Sequence, residues 1–402
     1  MMAAWSLQKT VDAKARTMSA SAVSNSKPRA RKKLLLVSAC ILLWAAVVAC
    51  ALELWAVAML RRGHGILAKH QVDREIRKVA EAFHKDLWAH PWKLYKPHAA
   101  VRIDVDGKTY STTINSFHLR GPEFIRKRGA LVIACLGGST TVNGPTNSET
   151  YPAFLEGMLN ENSSRPIVVV NAGVSARLSE DYIHQVRILM TNAKPDIVVE
   201  YNGANDLCVM LVKKWKDELG PVKRLLARSR FVTYMFEDFL LPDEQQIRDD
   251  IRNYTIKHLK QIESLLTSQG VKFAVCSFLQ PDVTGAPECW KAFLDHDLRL
   301  SWRTGYVTFK SYSRMVDLYN EELRKAFVGS DVRYLPLAES LPLRSDAFID
   351  ICHLKPEVIE KKARAIAALL EADGELLGKE KSATDDTGSA EGVSRDGDRR
   401  RE

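Results

Sequence analysis

The chain has 402 residues, 46% of them hydrophobic and 27% charged, with a formal net charge of +9. That balance excludes wholesale disorder and collagen-like or low-complexity architectures, and the length allows a sizeable core. The charge is unevenly placed. Residues 1–33 hold Lys9, Lys14, Arg16, Lys27, Arg29, Arg31, Lys32 and Lys33 against one acid, Asp12, a net +7 that leaves only +2 for the other 369 residues. No basic patch interleaved with aromatics stands out after that segment, so nucleic acid is not an expected partner.

From Leu34 to Leu52 the chain runs nineteen residues without a charge; Glu53 interrupts, apolar character resumes to Leu60, and Arg61-Arg62 close the stretch. About 20 apolar residues at 1.5 Å each span a bilayer core of roughly 30 Å. Trp44 and Trp55 suit such a segment, and the basic block before it predicts a cytoplasmic N-terminus with the remainder exported. A cleaved signal peptide would be shorter and end in an Ala-x-Ala site. The lipoprotein-like Val47-Val48-Ala49-Cys50 is followed by further apolar residues. Residues 34–60 therefore read as a single-pass signal anchor after a basic arm (1–33), with the rest of the chain periplasmic or extracellular.

Residues 61–114 read as stalk and lead-in: a helical, aromatic-bearing stretch over 63–100 (Phe83, Trp88, Trp92), then an alternating Val101–Thr113 with the hairpin signal Asp106-Gly107. Beyond it, strands alternate with helices. Strands are predicted at Ala130–Leu136, Pro166–Asn171, Ile197–Tyr201, Val271–Leu279 and Val332–Pro336. Helices are predicted at Thr150–Leu159, Asp181–Met190, Arg248–Ser268, Ser313–Phe327 and Pro356–Ala372. This alternation predicts an α/β fold, a three-layer α/β/α domain with a mostly parallel sheet over residues 115–374, carrying its ligand site at the carboxyl ends of the strands. Residues 375–402 are polar and aperiodic and read as a disordered tail. Seven cysteines without a CxxC pair leave disulfide pairing open; Cys135 and Cys276, in apolar runs, are expected to be buried thiols.

Four loops after strands carry chemistry. Gly137-Gly138-Ser139-Thr140-Thr141 places a serine at a helix opening, without the Gly-x-Ser-x-Gly spacing of the α/β-hydrolase elbow. Asn171-Ala172-Gly173 offers a backbone N–H to a ligand, or is a plain turn. Asn205, in Gly203-Ala204-Asn205-Asp206, is either an amide donor to an oxyanion or an Asx-turn or helix cap. Asp350-Ile351-Cys352-His353 sets a carboxylate three residues before a histidine, where it can hold the imidazole tautomer. His296, between Asp295 and Asp297, is a rival but reads as part of a solvated face.

Taken in order, Gly137-Gly138-Ser139, Gly173, Gly203-x-Asn205-Asp206 and Asp350-x-x-His353 resemble the four motif blocks of the SGNH, or GDSL-type, hydrolase superfamily. Gly138 departs from Gly-Asp-Ser in the manner of a Gly-Gly-Ser-Thr-Thr branch. Asn115–Glu123 is similar to that branch's lead-in, except that His118 stands where Gly is usual. The resemblance covers roughly 115–372. It implies a serine esterase or deacylase in which Ser139 is the nucleophile, His353 the base and Asp350 its orienter, with Ser139, Gly173 and Asn205 forming the oxyanion hole. No cofactor or metal is expected. The expected partners are the membrane, through the N-terminal helix, and an acyl-ester substrate, a cell-envelope glycan or lipid; oligomeric state is left open. Transfer of the acyl group to a sugar hydroxyl, or a catalytically idle anchored binding or assembly protein, are the competing readings. Two aromatic-rich insertions, 207–247 and 282–312, either cap the site or simply pack onto the domain.

Overall fold

The computed structural model describes residues 27–62, 88–89, 94–105 and 108–377. Strands β1 (Trp88–Ala89) and β2 (Leu94–Tyr95) pair antiparallel within the stretch expected to be helical; residues 63–87 of the expected stalk lie outside the described residues. β3 (Ala100–Val105) and β4 (Lys108–Thr113) form the expected hairpin in antiparallel register.

Five further strands build the domain: β5 (Leu131–Gly137), β6 (Ile167–Gly173), β7 (Ile197–Tyr201), β8 (Lys272–Cys276) and β9 (Arg333–Leu335). They pair in parallel throughout, in the order β6-β5-β7-β8-β9. Every residue of β5 and β7 is buried, as the continuous apolar runs demand of strands covered on both faces.

The chain steps from β5 to β6 in one direction and thereafter in the other. Right-handed crossovers then put the Tyr151–Glu161 helix on one face of the sheet and the Tyr182–Asn192, Lys257–Thr267 and Phe309–Phe327 helices on the other. The contacts agree: Tyr151–Glu161 packs with the final Pro356–Ala372 helix, and Tyr182–Asn192 packs with Lys257–Thr267. The reversal of direction sits at β5, between β6 and β7, where doubly wound sheets bind ligands.

The N-terminal helix runs Lys27–Arg62, and its Arg31–Arg61 stretch is long and apolar enough to cross a membrane. The insertions supply a group of short helices, termed the cap: Val212–Glu218, Pro221–Leu226, Arg230–Met235 and Glu237–Leu240 from the first, Glu288–His296 from the second. None of them lines the cavity at Ser139, which the insertions reach through Val209, Ser301 and Trp302. The Arg230–Met235 and Glu288–His296 helices both pack on the N-terminal helix. His296 is not on a solvated face: it is buried there, its Nδ1 3.2 Å from the Leu60 carbonyl oxygen. Cys135 and Cys276 are buried thiols. The expected arm over residues 1–26 and the tail from Gly378 onward lie outside the described residues; Gly374–Leu377, at the expected tail boundary, is a short helix.

Candidate active site

β5 ends at Gly137, and Gly138 caps a one-turn helix, Ser139–Val142. A Cβ on Gly138 would stand 2.7 Å from Asn205 Nδ2 and 3.2 Å from Asn202 Oδ1. A side chain at this position would crowd the ends of the Asn205 and Asn202 side chains where the loops after β5 and β7 approach each other.

Across the sheet edge, the loop before the Pro356–Ala372 helix carries Asp350 and His353. Asp350 Oδ1 accepts from the backbone N–H of Cys352 (2.9 Å) and of His353 (2.7 Å), a tight turn that brings the imidazole back onto the same carboxylate. His353 Nδ1 lies 2.7 Å from Asp350 Oδ2, and His353 Nε2 lies 2.7 Å from Ser139 Oγ. Burial alone would raise the Asp350 carboxyl; the His353 ring and the two backbone N–H groups outweigh it and hold the group below the usual carboxylate range. Trp302, from the second insertion, stacks on His353 at 6.4 Å and 26°. Asp350, Cys352 and His353 also place three metal-ligating atoms within 4.8 Å. Their hydrogen bonds already account for that grouping, and burial pushes the Cys352 thiol well up, away from the thiolate a metal needs.

Asn205 opens a π-helical turn, Asn205–Leu211, and neither caps it nor forms an Asx-turn. Its Nδ2 donates to the Arg177 carbonyl at 2.9 Å, which orients the amide and leaves its second hydrogen for the cavity. The next residue, Asp206, is fully buried; Oδ1 accepts from Ser179 N–H (2.9 Å) and Oδ2 from Thr255 Oγ1 (2.8 Å), pinning the loop after β6 beside Asn205. Burial pushes the Asp206 carboxyl up to about 6.

Gly173 is not where the sequence reading put it. β6 continues through it, its N–H donates to Asn171 Oδ1 at 3.0 Å, and a Cβ there would meet Val142 N at 2.5 Å. Its role is close packing beneath the Ser139 helix. Two and three residues on, Ser175 and Ala176 line the cavity with Ser139, Asn205, Asp350 and His353. Ala176 is exposed there, in a left-handed conformation (φ 56°) that a non-glycine residue adopts at a cost. Sequence reasoning missed it because alanine carries no turn signal.

The lead-in residues brace this face. Arg120 is buried, donates to Thr112 Oγ1 and the Gly144 carbonyl (both 2.9 Å) and to the Val142 carbonyl, and is pulled by burial down to about 10. His118 has φ 63°, which explains why glycine suits the position; its Nδ1 lies 2.7 Å from the Tyr95 carbonyl oxygen. The cavity these groups enclose measures about 360 Å³, and Val142, Val209, Ile349, Leu354 and Ile359 contribute apolar wall.

The architecture defines a three-layer α/β protein, with a serine, a histidine and a carboxylate joined by hydrogen bonds in one cavity. Solved structures similar to this chain include a member of the lipolytic protein G-D-S-L family from Veillonella parvula (13% identity, 60% of this chain and 97% of that one, TM-score 0.36). The lipase/acylhydrolase from Enterococcus faecalis matches at 14% identity, over 60% and 96% of the two chains, with a TM-score of 0.37. An acetyl xylan esterase, AlAXEase, matches at 15%, over 59% and 98%, with a TM-score of 0.36. No protein-family model matches the chain, and no curated protein matches it. At this level of similarity the functional reading rests on the chain's own geometry.

Proposed function

We propose that the protein is a membrane-anchored serine esterase or deacylase. The observation that carries the reading is the continuous relay Ser139 Oγ, His353 Nε2, His353 Nδ1, Asp350 Oδ2, with 2.7 Å at each hydrogen bond, opening on a largely apolar cavity. Ser139 Oγ attacks the acyl carbonyl as its proton passes to His353 Nε2, and Asp350 steadies the imidazolium that results. The oxyanion receives the Ser139 N–H, the free hydrogen of the Asn205 amide and, in place of Gly173, the Ala176 N–H. The tetrahedral adduct collapses as His353 returns the proton to the departing alcohol. Water then repeats the sequence on the acyl-enzyme, releasing the acid and restoring Ser139.

The apolar wall suits the acyl part of an ester on an envelope lipid or glycan. The helix over 34–60 crosses the membrane with the basic arm inside, so the 115–374 domain works on the extracytoplasmic side.

The test is to treat the purified full-length protein with an active-site-directed fluorophosphonate and map the adduct by mass spectrometry. Labelling at Ser139 that disappears in His353→Ala is the expected result. An unlabelled Ser139, or equal labelling of the variant, overturns the proposal.

A further inference from the structure

The place where the N-terminal helix touches the cap fixes how the cap stands relative to a bilayer. The uncharged run ends at Glu53, and Glu53 accepts hydrogen bonds from the Ser229 hydroxyl and from the backbone N–H groups of Arg230 (3.0 Å) and Phe231 (3.4 Å). Two residues later Trp55 packs edge-on against Phe231 and Tyr234, with ring centroids 6.2 and 5.5 Å apart. The nineteen residues Leu34–Leu52 account for about 28 Å of helix, which is one hydrocarbon thickness. Ser229–Tyr234 therefore lies at the level where hydrocarbon gives way to headgroups.

The neighbouring surface has the composition of an interfacial element. The Pro221–Leu226 helix buries none of its residues. Val222, Leu225, Met235, Phe236 and Phe239 are between 49% and 69% exposed. Residues 219–240 carry the cations Lys223, Arg224, Arg228 and Arg230 against two acids at their end, Asp238 and the buried Glu237, whose carboxylate accepts from Thr308 N–H and the Ser311 hydroxyl. In water, such a cluster of large apolar side chains is costly and uncommon on a monomer. At a membrane surface, the apolar groups reach the acyl boundary and the cations meet anionic headgroups.

We propose that the cap segment 219–240 is a second membrane contact, seated in the anionic headgroup layer beside the exit of the N-terminal helix. This rests on reading that helix as a membrane span. Docking here holds the active site at a fixed distance from the bilayer: from His296, against Leu60 near the end of the N-terminal helix, one continuous helical path of five residues reaches Ser301 in the cavity wall.

The test uses the full-length protein in bilayers of phosphatidylglycerol and phosphatidylcholine, with exposed Cys40, Cys50 and Cys289 replaced by alanine. Single nitroxide labels go at Leu225→Cys and Phe236→Cys, at Ala46→Cys within the span, and at Ile125→Cys, which lies by the Arg126–Asp196 pair at the amino ends of β5 and β7. Collision with oxygen relative to a water-soluble nickel chelate reports depth. The expected ratio at 225 and 236 is several-fold above that at 125 and below that at 46, and it falls when Lys223, Arg228 and Arg230 are replaced by Gln. If 46 is deep while 225 and 236 match 125, the cap stands off the membrane and this proposal fails with the anchor intact. If 46 is water-accessible, the span itself fails. Labels at 225 and 236 shielded from both reagents indicate a protein partner and overturn lipid docking.

Discussion

His353 and His296 each stand beside aspartates in the sequence, and the fold gives them opposite work. In the loop before the last long helix, Asp350 accepts two backbone N–H groups and so turns the chain until the His353 ring meets its other oxygen. At His296 the chain is helical, and adjacent residues on a helix project in different directions. Asp295 accordingly accepts the Phe309 N–H at 2.6 Å, while His296 reaches the Leu60 carbonyl. A carboxylate three residues away across a tight turn comes back onto the imidazole; Asp295, next door on a helix, turns to another segment.

The sharpest way to break this contrast is to remove each ring in turn. His353→Ala should lower kcat/KM by about 10⁴-fold or more while leaving the thermal midpoint within a few degrees, because the ring is partly exposed and its loss leaves only a short polar loop unpartnered. His296→Ala should leave kcat/KM within about twofold and lower the thermal midpoint instead, through lost packing under the N-terminal helix. Comparable activity losses in both would abolish the distinction.

The oxyanion donors come next. Asn205→Ala should cost about 10²–10³ in kcat with a small change in KM. Replacing Ala176 by its α-hydroxy analogue, lactate, exchanges one N–H for an ester oxygen and tests the corrected assignment directly. A loss of about 10²-fold is expected at 176, whereas the same exchange at Gly173 should weaken the fold at the Asn171 contact and spare kcat. A kinetic effect at 173 with none at 176 would restore the original reading.

That correction shows what was legible and what was not. The β7 strand and the final helix fall where periodicity and Pro356 place them, and β5 is displaced by one residue. The apolar run of β6 gives no sign of where pairing stops: β5 holds β6 in register through Gly137 opposite Gly173, so the glycine that looked like a loop residue is strand. Ser139, Asn205, Asp350 and His353, which the structure brings to one cavity, could be singled out because each proposed role needs a particular side chain. Ala176 was not, since a backbone donor can belong to any residue and only its positive φ reveals the turn. His296 was misjudged because its partner is a carbonyl 236 residues away.

Asp206 links the loops after β6 and β7 that carry the proposed oxyanion donors Ala176 and Asn205, and its titration should be visible in stability. Its folded pKa, about 6, lies above the ordinary 3.8, so folding favours the protonated form. The stabilisation is fully present below pH ~4 and is lost as pH rises through 6, by about 3 kcal/mol for a shift of that size. Asp206→Asn keeps an acceptor for Ser179 N–H and cannot ionise. Urea unfolding from pH 4 to 7 should show the variant gaining on the native protein across this window, and a constant difference would refute it.

The smallest expected effect concerns the support beneath Ser139. Lys362, on the Pro356–Ala372 helix, is 2% exposed, donates from Nζ to the Thr140 carbonyl at 3.0 Å and lies 4.0 and 3.4 Å from the ring centroids of Tyr151 and Tyr201. Burial drives its pKa well below the ordinary lysine value, so a charge there carries a cost that an apolar side chain would not bear. Lys362→Met keeps the length and removes the donor. If Lys362 only fills space, the variant should be as stable or more so with unchanged kinetics. If its bond to Thr140 fixes the turn that presents Ser139, kcat should fall about tenfold, roughly 1.4 kcal/mol in the barrier, with KM little altered. The second outcome is expected, because Thr140 directly follows the proposed nucleophile and a small shift of Ser139 Oγ would lengthen its 2.7 Å bond to His353.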